Sequence, residues 1–110
     1  MDAQHVKYEV EQRVANITLD RPERANAQNE RLLDELDAAF DAAVVDDEVR
    51  VVVLRATGKH FSAGHDLNPG DGGPRLQRED GSWWLQDIYG WEAQKYIAYS
   101  LRWRNIPKPT

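Results

Sequence analysis

The stretch Val49-Arg50-Val51-Val52-Val53-Leu54-Arg55-Ala56 decides how the chain is laid out. It is a near-continuous β-branched run without polar alternation. Such runs read as strands buried on both faces, usually inside a parallel sheet. Upstream, Leu32, Leu33, Leu36, Phe40, Ala43 and Val44 recur at steps of three and four, and Glu30, Arg31, Asp34, Glu35, Asp37 and Asp41 fill the other positions. That spacing predicts an amphipathic helix from about Asn29 with one apolar stripe. Asn26 or Asn29 can cap it, and Glu30 suits the positive end of the dipole. Asp46-Asp47-Glu48 oppose the dipole at the other end, so they are expected in a solvated loop.

Working outward, Val14-Ala15-Asn16-Ile17-Thr18-Leu19 alternates between two faces, as does Val6–Glu11 with Val6, Tyr8 and Val10 on one side. Period two predicts two half-buried strands, and Glu11-Gln12-Arg13 is short enough for a hairpin turn. Asp20-Arg21-Pro22-Glu23 ends the pairing, because proline has no N–H for a ladder. The order is strand, strand, helix, strand, and the helix makes the crossover between two parallel strands. Downstream, Asn68–Gly81 holds four glycines and two prolines, which predicts a long irregular loop over 68–81. Ser82 is the expected cap of a second helix over about 82–104, rich in tryptophan and tyrosine; Trp84, Ile88, Trp91 and Tyr99 are expected as ordinary core, the alternative being that some of them line an apolar pocket or a subunit contact. Pro107 and Pro109 stop it. A strand such as Val51–Leu54 wants neighbours on both edges, and the extended end looks like a lead into another element. The 110 residues are therefore expected to be the front part of one larger domain.

Composition narrows the function. The net charge is −5, hydrophobic residues make up 41%, and cysteine is absent. No apolar run approaches the roughly 20 residues of a membrane span, and the N-terminus lacks a secretory pattern. Residues 67–110 carry 5 acidic and 6 basic side chains, not the concentrated basic face of a duplex binder. Disulfide scaffolds, Cys-ligated zinc and cysteine nucleophiles are excluded, and a cytoplasmic address is expected.

Phe61-Ser62-Ala63-Gly64-His65-Asp66-Leu67 is the most informative stretch for chemistry. It follows the buried strand, its small residues let a ligand approach the backbone, and such a turn can aim N–H groups at an oxyanion or phosphate. A tight connecting turn is the plainer reading. Ser62, His65 and Asp66 are too close in sequence to converge as a triad. His60, His65 and Asp66 do not make a metal set, so no metal is expected. In Arg21–Ala27, Arg24 could meet a phosphate, and Ala25 and Ala27 could leave room for a flat ring; a charged strand-to-helix turn is the plainer alternative.

Taken in order, Val14–Leu19, Arg21-Pro22 with Asn26-Ala27, Leu32–Val44, Val49–Ala56, Gly58–Leu67 and Ile106–Thr110 make the chain similar to the N-terminal portion of the enoyl-CoA hydratase/isomerase (crotonase) superfamily. The resemblance implies an α/β crotonase-like β-β-α spiral, here incomplete, and an acyl-CoA thioester substrate without a separate cofactor. It implies that the backbone N–H of His65 is one of two donors holding the thioester oxygen as it gains enolate charge. It places Arg24, Ala25 and Ala27 along the approach of coenzyme A, and Ala63, Gly64, Asp66 and Leu67 beside its adenine and pantetheine path. Water addition across a 2,3 double bond is the implied reaction; isomerase, thioesterase or dehalogenase chemistry, or a non-catalytic truncated product, are the alternatives. The second donor and the catalytic acid/base pair lie beyond Thr110 in the family, and Glu79 and Glu92 do not occupy those positions. The chain alone is therefore expected to be inactive. Partners implied are homotrimers or hexamers when complete, with no nucleic acid and no membrane.

Overall fold

The structure, a computed structural model, describes residues 4–68, 70 and 77–110. Two antiparallel strands open it, β1 (Val6–Glu11) and β2 (Val14–Leu19), registered Val6 to Leu19 and Glu11 to Val14. The turn between them is two residues, Gln12 at φ 49° and Arg13 at φ 67°. Two left-handed residues give a turn whose twist matches the strands, the arrangement of a type I′ hairpin. A 3-10 turn (Pro22–Arg24) leads to helix α1 (Glu30–Val45), and the chain returns as β3 (Val51–Ala56), parallel to β2 with Val14 beside Val51 and Leu19 beside Ala56. Of the two candidate caps, Asn29 does the work: its side chain accepts from the Leu32 N–H at 2.8 Å.

The core is the expected stripe laid on the expected strand faces. Leu32, Leu36, Ala39, Phe40 and Ala43 of α1 pack on Val6, Ala15, Ile17, Leu19, Val49 and Val52. Val44 sits at its margin, half-buried. One polar position departs from its neighbours. Glu35 is buried, and one carboxylate oxygen accepts the N–H groups of Gln4, His5 and Val6 at 2.8, 2.8 and 3.1 Å. Arg31 one turn back donates to its other oxygen at 2.7 Å. Glu35 thus anchors the start of β1.

The expected burial of β3 on both faces does not hold. The strand order is β1-β2-β3, so β3 lies at the edge, and while Val52 is 1% exposed, Val51 and Val53 are 38% and 39% exposed. The cause is that α1 covers one face only. At the outer edge of β3, the Val52 N–H donates to the Pro109 carbonyl at 2.8 Å. Its neighbour Lys108 donates to the carbonyls of Ala43 and Asp46 at 2.6 and 2.8 Å. This lysine supplies the cation that the last turn of α1 lacks.

The second helical stretch runs from Leu85, not Ser82. Trp84 precedes it in an extended conformation with no side-chain cap, and the Ser82 hydroxyl instead accepts from the Trp84 indole at 3.0 Å. The stretch is α2 (Leu85–Trp91), a π-helical segment (Glu92–Ile97) and α3 (Ala98–Arg104). Its contacts also correct the expected core. Trp84 is exposed, and Ile88, Trp91 and Tyr99 are half-buried. The aromatic residues that pack are Tyr96 and Trp103, the latter stacked on Phe40 at 5.4 Å. Much of the docking onto α1 is polar. Lys95 and Tyr99 reach Asp34, Arg102 reaches Asp37 and Asp41, and the Trp103 indole reaches Asp37. The expected loop over 68–81 lies partly outside the described residues. Among the described residues no helix is long and apolar enough to cross a membrane.

Candidate functional site

Two segments distant in sequence meet at the top of the sheet. The first is the bend at 21–28. Ala25 and Asn26 both adopt left-handed backbone, at φ 51° and 53°. Asn26 is fully buried and holds the bend with three hydrogen bonds: its oxygen accepts from the Arg21 N–H at 2.7 Å, and its amide donates to the carbonyls of Thr57 and His60 at 2.8 and 3.0 Å. Asparagine tolerates this conformation better than most residues, and its short amide reaches both strands' ends. The second segment is 62–66. The Ala63 N–H donates to the Ala25 carbonyl at 2.9 Å, and the Ser62 hydroxyl donates to the Asn26 carbonyl at 2.8 Å while accepting from the Gly64 N–H at 3.0 Å.

Gln28 and His65 then form a parallel bridge. The Gln28 N–H donates to the Gly64 carbonyl at 2.7 Å, and the Asp66 N–H donates to the Gln28 carbonyl at 3.0 Å. In a parallel bridge the residue between the two bonded neighbours turns its own N–H and C=O to the opposite side. The His65 N–H accordingly has no acceptor among the described residues. Gly64 precedes it at φ 90°, a region L side chains rarely adopt, and a Cβ built there would meet nothing within 4 Å. The backbone is therefore held from one side and open on the other.

The electrostatics support the hold. Asp66 is buried and pairs with Arg21, Oδ2 to Nη1 at 2.8 Å, and the same guanidinium nitrogen donates to the Ala27 carbonyl at 2.9 Å. Burial pushes the Asp66 carboxyl up, but the Arg21 hydrogen bond, the Asn68 N–H and the charges of Arg21 and Arg24 together hold it below the ordinary carboxylate range. The side chains of Ser62, His65 and Asp66 point to different partners and form no triad. Arg24, Ala63 and Leu67 are exposed and Ala25, Ala27 and Gly64 half-buried around the same bend.

Two residues of the π segment belong to this site and carry no local signal of it. The His65 ring lies flat on the Tyr96 ring, centroids 3.4 Å apart and planes 7° apart. Its Nε2 donates to the Glu92 carboxylate at 2.9 Å. The Tyr96 hydroxyl donates to the Gln28 carbonyl at 2.9 Å. Only the four-residue spacing of Glu92 and Tyr96 hints that they share a face; that the face meets His65 is a tertiary fact.

The profile of the family described as Enoyl-CoA hydratase/isomerase matches residues 9–98. The Mycobacterium tuberculosis protein named "Putative enoyl-CoA hydratase EchA13" is 41% identical over 97% of this chain and 38% of its own length. A trans-2-decenoyl-acyl-carrier-protein isomerase of Streptococcus mutans is 42% identical over 61% of this chain and 26% of its own. Among solved structures, a probable enoyl-CoA hydratase from Mycobacterium thermoresistibile superposes with a TM-score of 0.80 at 55% identity, over 96% of this chain and 38% of that one. The chain thus spans well under half the length of these relatives.

Proposed function

The chain belongs to the enoyl-CoA hydratase/isomerase family, and on that premise we propose that it contributes the His65 backbone N–H as one oxyanion donor to a site that hydrates enoyl-CoA thioesters. The observation that carries the reading is this amide: it has no protein acceptor among the described residues, it is turned away from Gln28, and Gly64 leaves the approach open. When water adds to C3 of a 2-enoyl thioester, negative charge moves onto the thioester oxygen before C2 takes up a proton. A fixed N–H aimed at that oxygen is stronger in the transition state than in the ground state, and one such donor is worth about 3 kcal/mol. Arg24, Ala25, Ala27, Ala63, Gly64, Asp66 and Leu67 surround the same bend and are assigned to the coenzyme A side. Asp66 acts there through its salt bridge to Arg21, not as an acid or base.

A double-bond isomerase is the second reading, favoured by the Streptococcus mutans relative. It would use the same amide, because shifting the double bond also passes through an enolate. Both readings are tested by titrating the native-length protein with a 2-enoyl-CoA and a 3-enoyl-CoA while following the nitrogen-15 signal of His65. The amide signal is expected to move downfield as the thioester binds. Turnover of the 2-enoyl compound to a 3-hydroxyacyl thioester marks a hydratase, and conversion of the 3-enoyl compound alone marks an isomerase. A His65 amide unmoved at saturation would remove both.

A further inference from the structure

We propose that Tyr96 and Glu92 are positioning residues that fix the direction of the His65 N–H by clamping both halves of the Gln28–His65 bridge. The inference rests on the acyl-CoA reading above and extends it to two side chains of the π segment.

The Gln28 carbonyl accepts two donors, the Asp66 N–H at 3.0 Å and the Tyr96 hydroxyl at 2.9 Å. The Tyr96 ring simultaneously covers the His65 ring at 3.4 Å. One side chain therefore holds Gln28 by its tip and His65 by its face. Glu92 adds a third restraint through the His65 imidazole at 2.9 Å. Upstream of the bridge the two segments are already tied, by the Ala63 N–H on the Ala25 carbonyl, the Ser62 hydroxyl on the Asn26 carbonyl and the Gln28 side-chain amide on the Ser62 hydroxyl, but at His65 itself the backbone is held only through its neighbours Gly64 and Asp66. A ring stack and two side-chain bonds add to that hold. Burial, and next the charge of Glu92, push the Tyr96 phenol up, so its hydroxyl remains a donor at neutral pH. The placement of Glu92 and Tyr96 in a π-helical segment fits the restraint. Such segments are rare and occur frequently at functional sites.

The restraint acts on a donor and not on the substrate's handle, so its loss separates kcat from KM. The variants are Tyr96→Phe, Glu92→Ala and Glu92→Gln in the native-length protein, with folding checked by circular dichroism. The readout is the infrared stretch of a carbon-13-labelled thioester carbonyl in a bound unsaturated acyl-CoA. In the parent the stretch is expected below its free-solution value. In Tyr96→Phe and Glu92→Ala it is expected to return partway and broaden, while kcat falls about tenfold and KM changes less than about twofold. Glu92→Gln, which can still accept from the imidazole, is expected to recover most of the parental shift. In a His65→Ala background, which keeps the amide and removes the ring, Glu92→Ala is expected to do nothing further. Parental frequency and kcat in Glu92→Ala, or in a folded Tyr96→Phe, would overturn the proposal. Since Glu92 is partly exposed, its variants decide the matter even if Tyr96→Phe unfolds. A parent that binds no thioester, or binds it with an unshifted carbonyl, would instead overturn the acyl-CoA reading and the clamp with it.

Discussion

Glu35 shows how a single residue escapes pattern reading. Its neighbours mark it as one more acid on a polar helix face, yet it is buried and receives three backbone N–H groups and Arg31. Burial pushes its carboxyl up, but the bonds from His5, Arg31, Gln4 and Val6 outweigh that and hold it below the ordinary range. A carboxyl whose folded pKa is depressed contributes stability that is complete above the unfolded value and lost as pH falls through the folded one. Glu35→Gln is therefore expected to lose about 2 kcal/mol of unfolding free energy at neutral pH. The gap between parent and variant should close as the pH drops below the carboxylate range, measured by urea midpoints across a pH series. The helix stripe, by contrast, was readable because burial of Leu32, Leu36 and Phe40 follows the 3.6-residue period directly. Gly64 was readable too, as one of the small residues that let a ligand approach the backbone, and its φ of 90° is one that favours glycine. Asn26 was visible as a motif residue and as a possible cap, but its three-way hold on the bend was not, since its partners lie 5, 31 and 34 residues away.

Among elements, the hairpin was legible from alternation, and its turn chemistry runs against preference. Gln12 and Arg13 occupy left-handed positions where Asn-Gly is favoured. Gln12→Asn with Arg13→Gly is expected to stabilise the fold by about 1 kcal/mol, raising the midpoint of thermal unfolding without touching the site. The second helical stretch was legible as a helix and as its end at Arg104, but not in its interior. Nothing in the Glu92–Ile97 sequence announces a wider turn; it is a compromise between two docking partners. At its first residue Glu92 answers to His65, and downstream of it Tyr99, Arg102 and Trp103 answer to Asp34, Asp37 and Asp41. An inserted residue lets both faces be satisfied by one rod. The strand β3 failed expectation for a related reason: a β-branched run states what a strand can bury, and only its neighbours decide what it does bury.

At the scale of the molecule, a compact pair of layers carries an arm. The overall extents are 53 × 28 × 24 Å, and Trp83, Trp84, Leu85, Tyr89, Ile97 and Leu101 leave apolar surface exposed along or beside that arm. What fastens the arm to α1 is as much charge as packing, with Lys95 meeting Glu30 and Asp34 and Arg102 meeting Asp37 and Asp41. Arg102 is half exposed, so its pairs are weak and open to screening. At about 1 M salt the screening length falls to about 3 Å. Amides of residues 85–104 are then expected to exchange hydrogen faster while those of the three strands keep their protection, as read by mass spectrometry. Because the same arm bears Tyr96 and Glu92, which contact His65, electrolyte concentration is expected to act at a distance on the loop amide. A seam of ions remote from the bend sets how still that one peptide bond is kept, and brine alone, without any substitution, should loosen it.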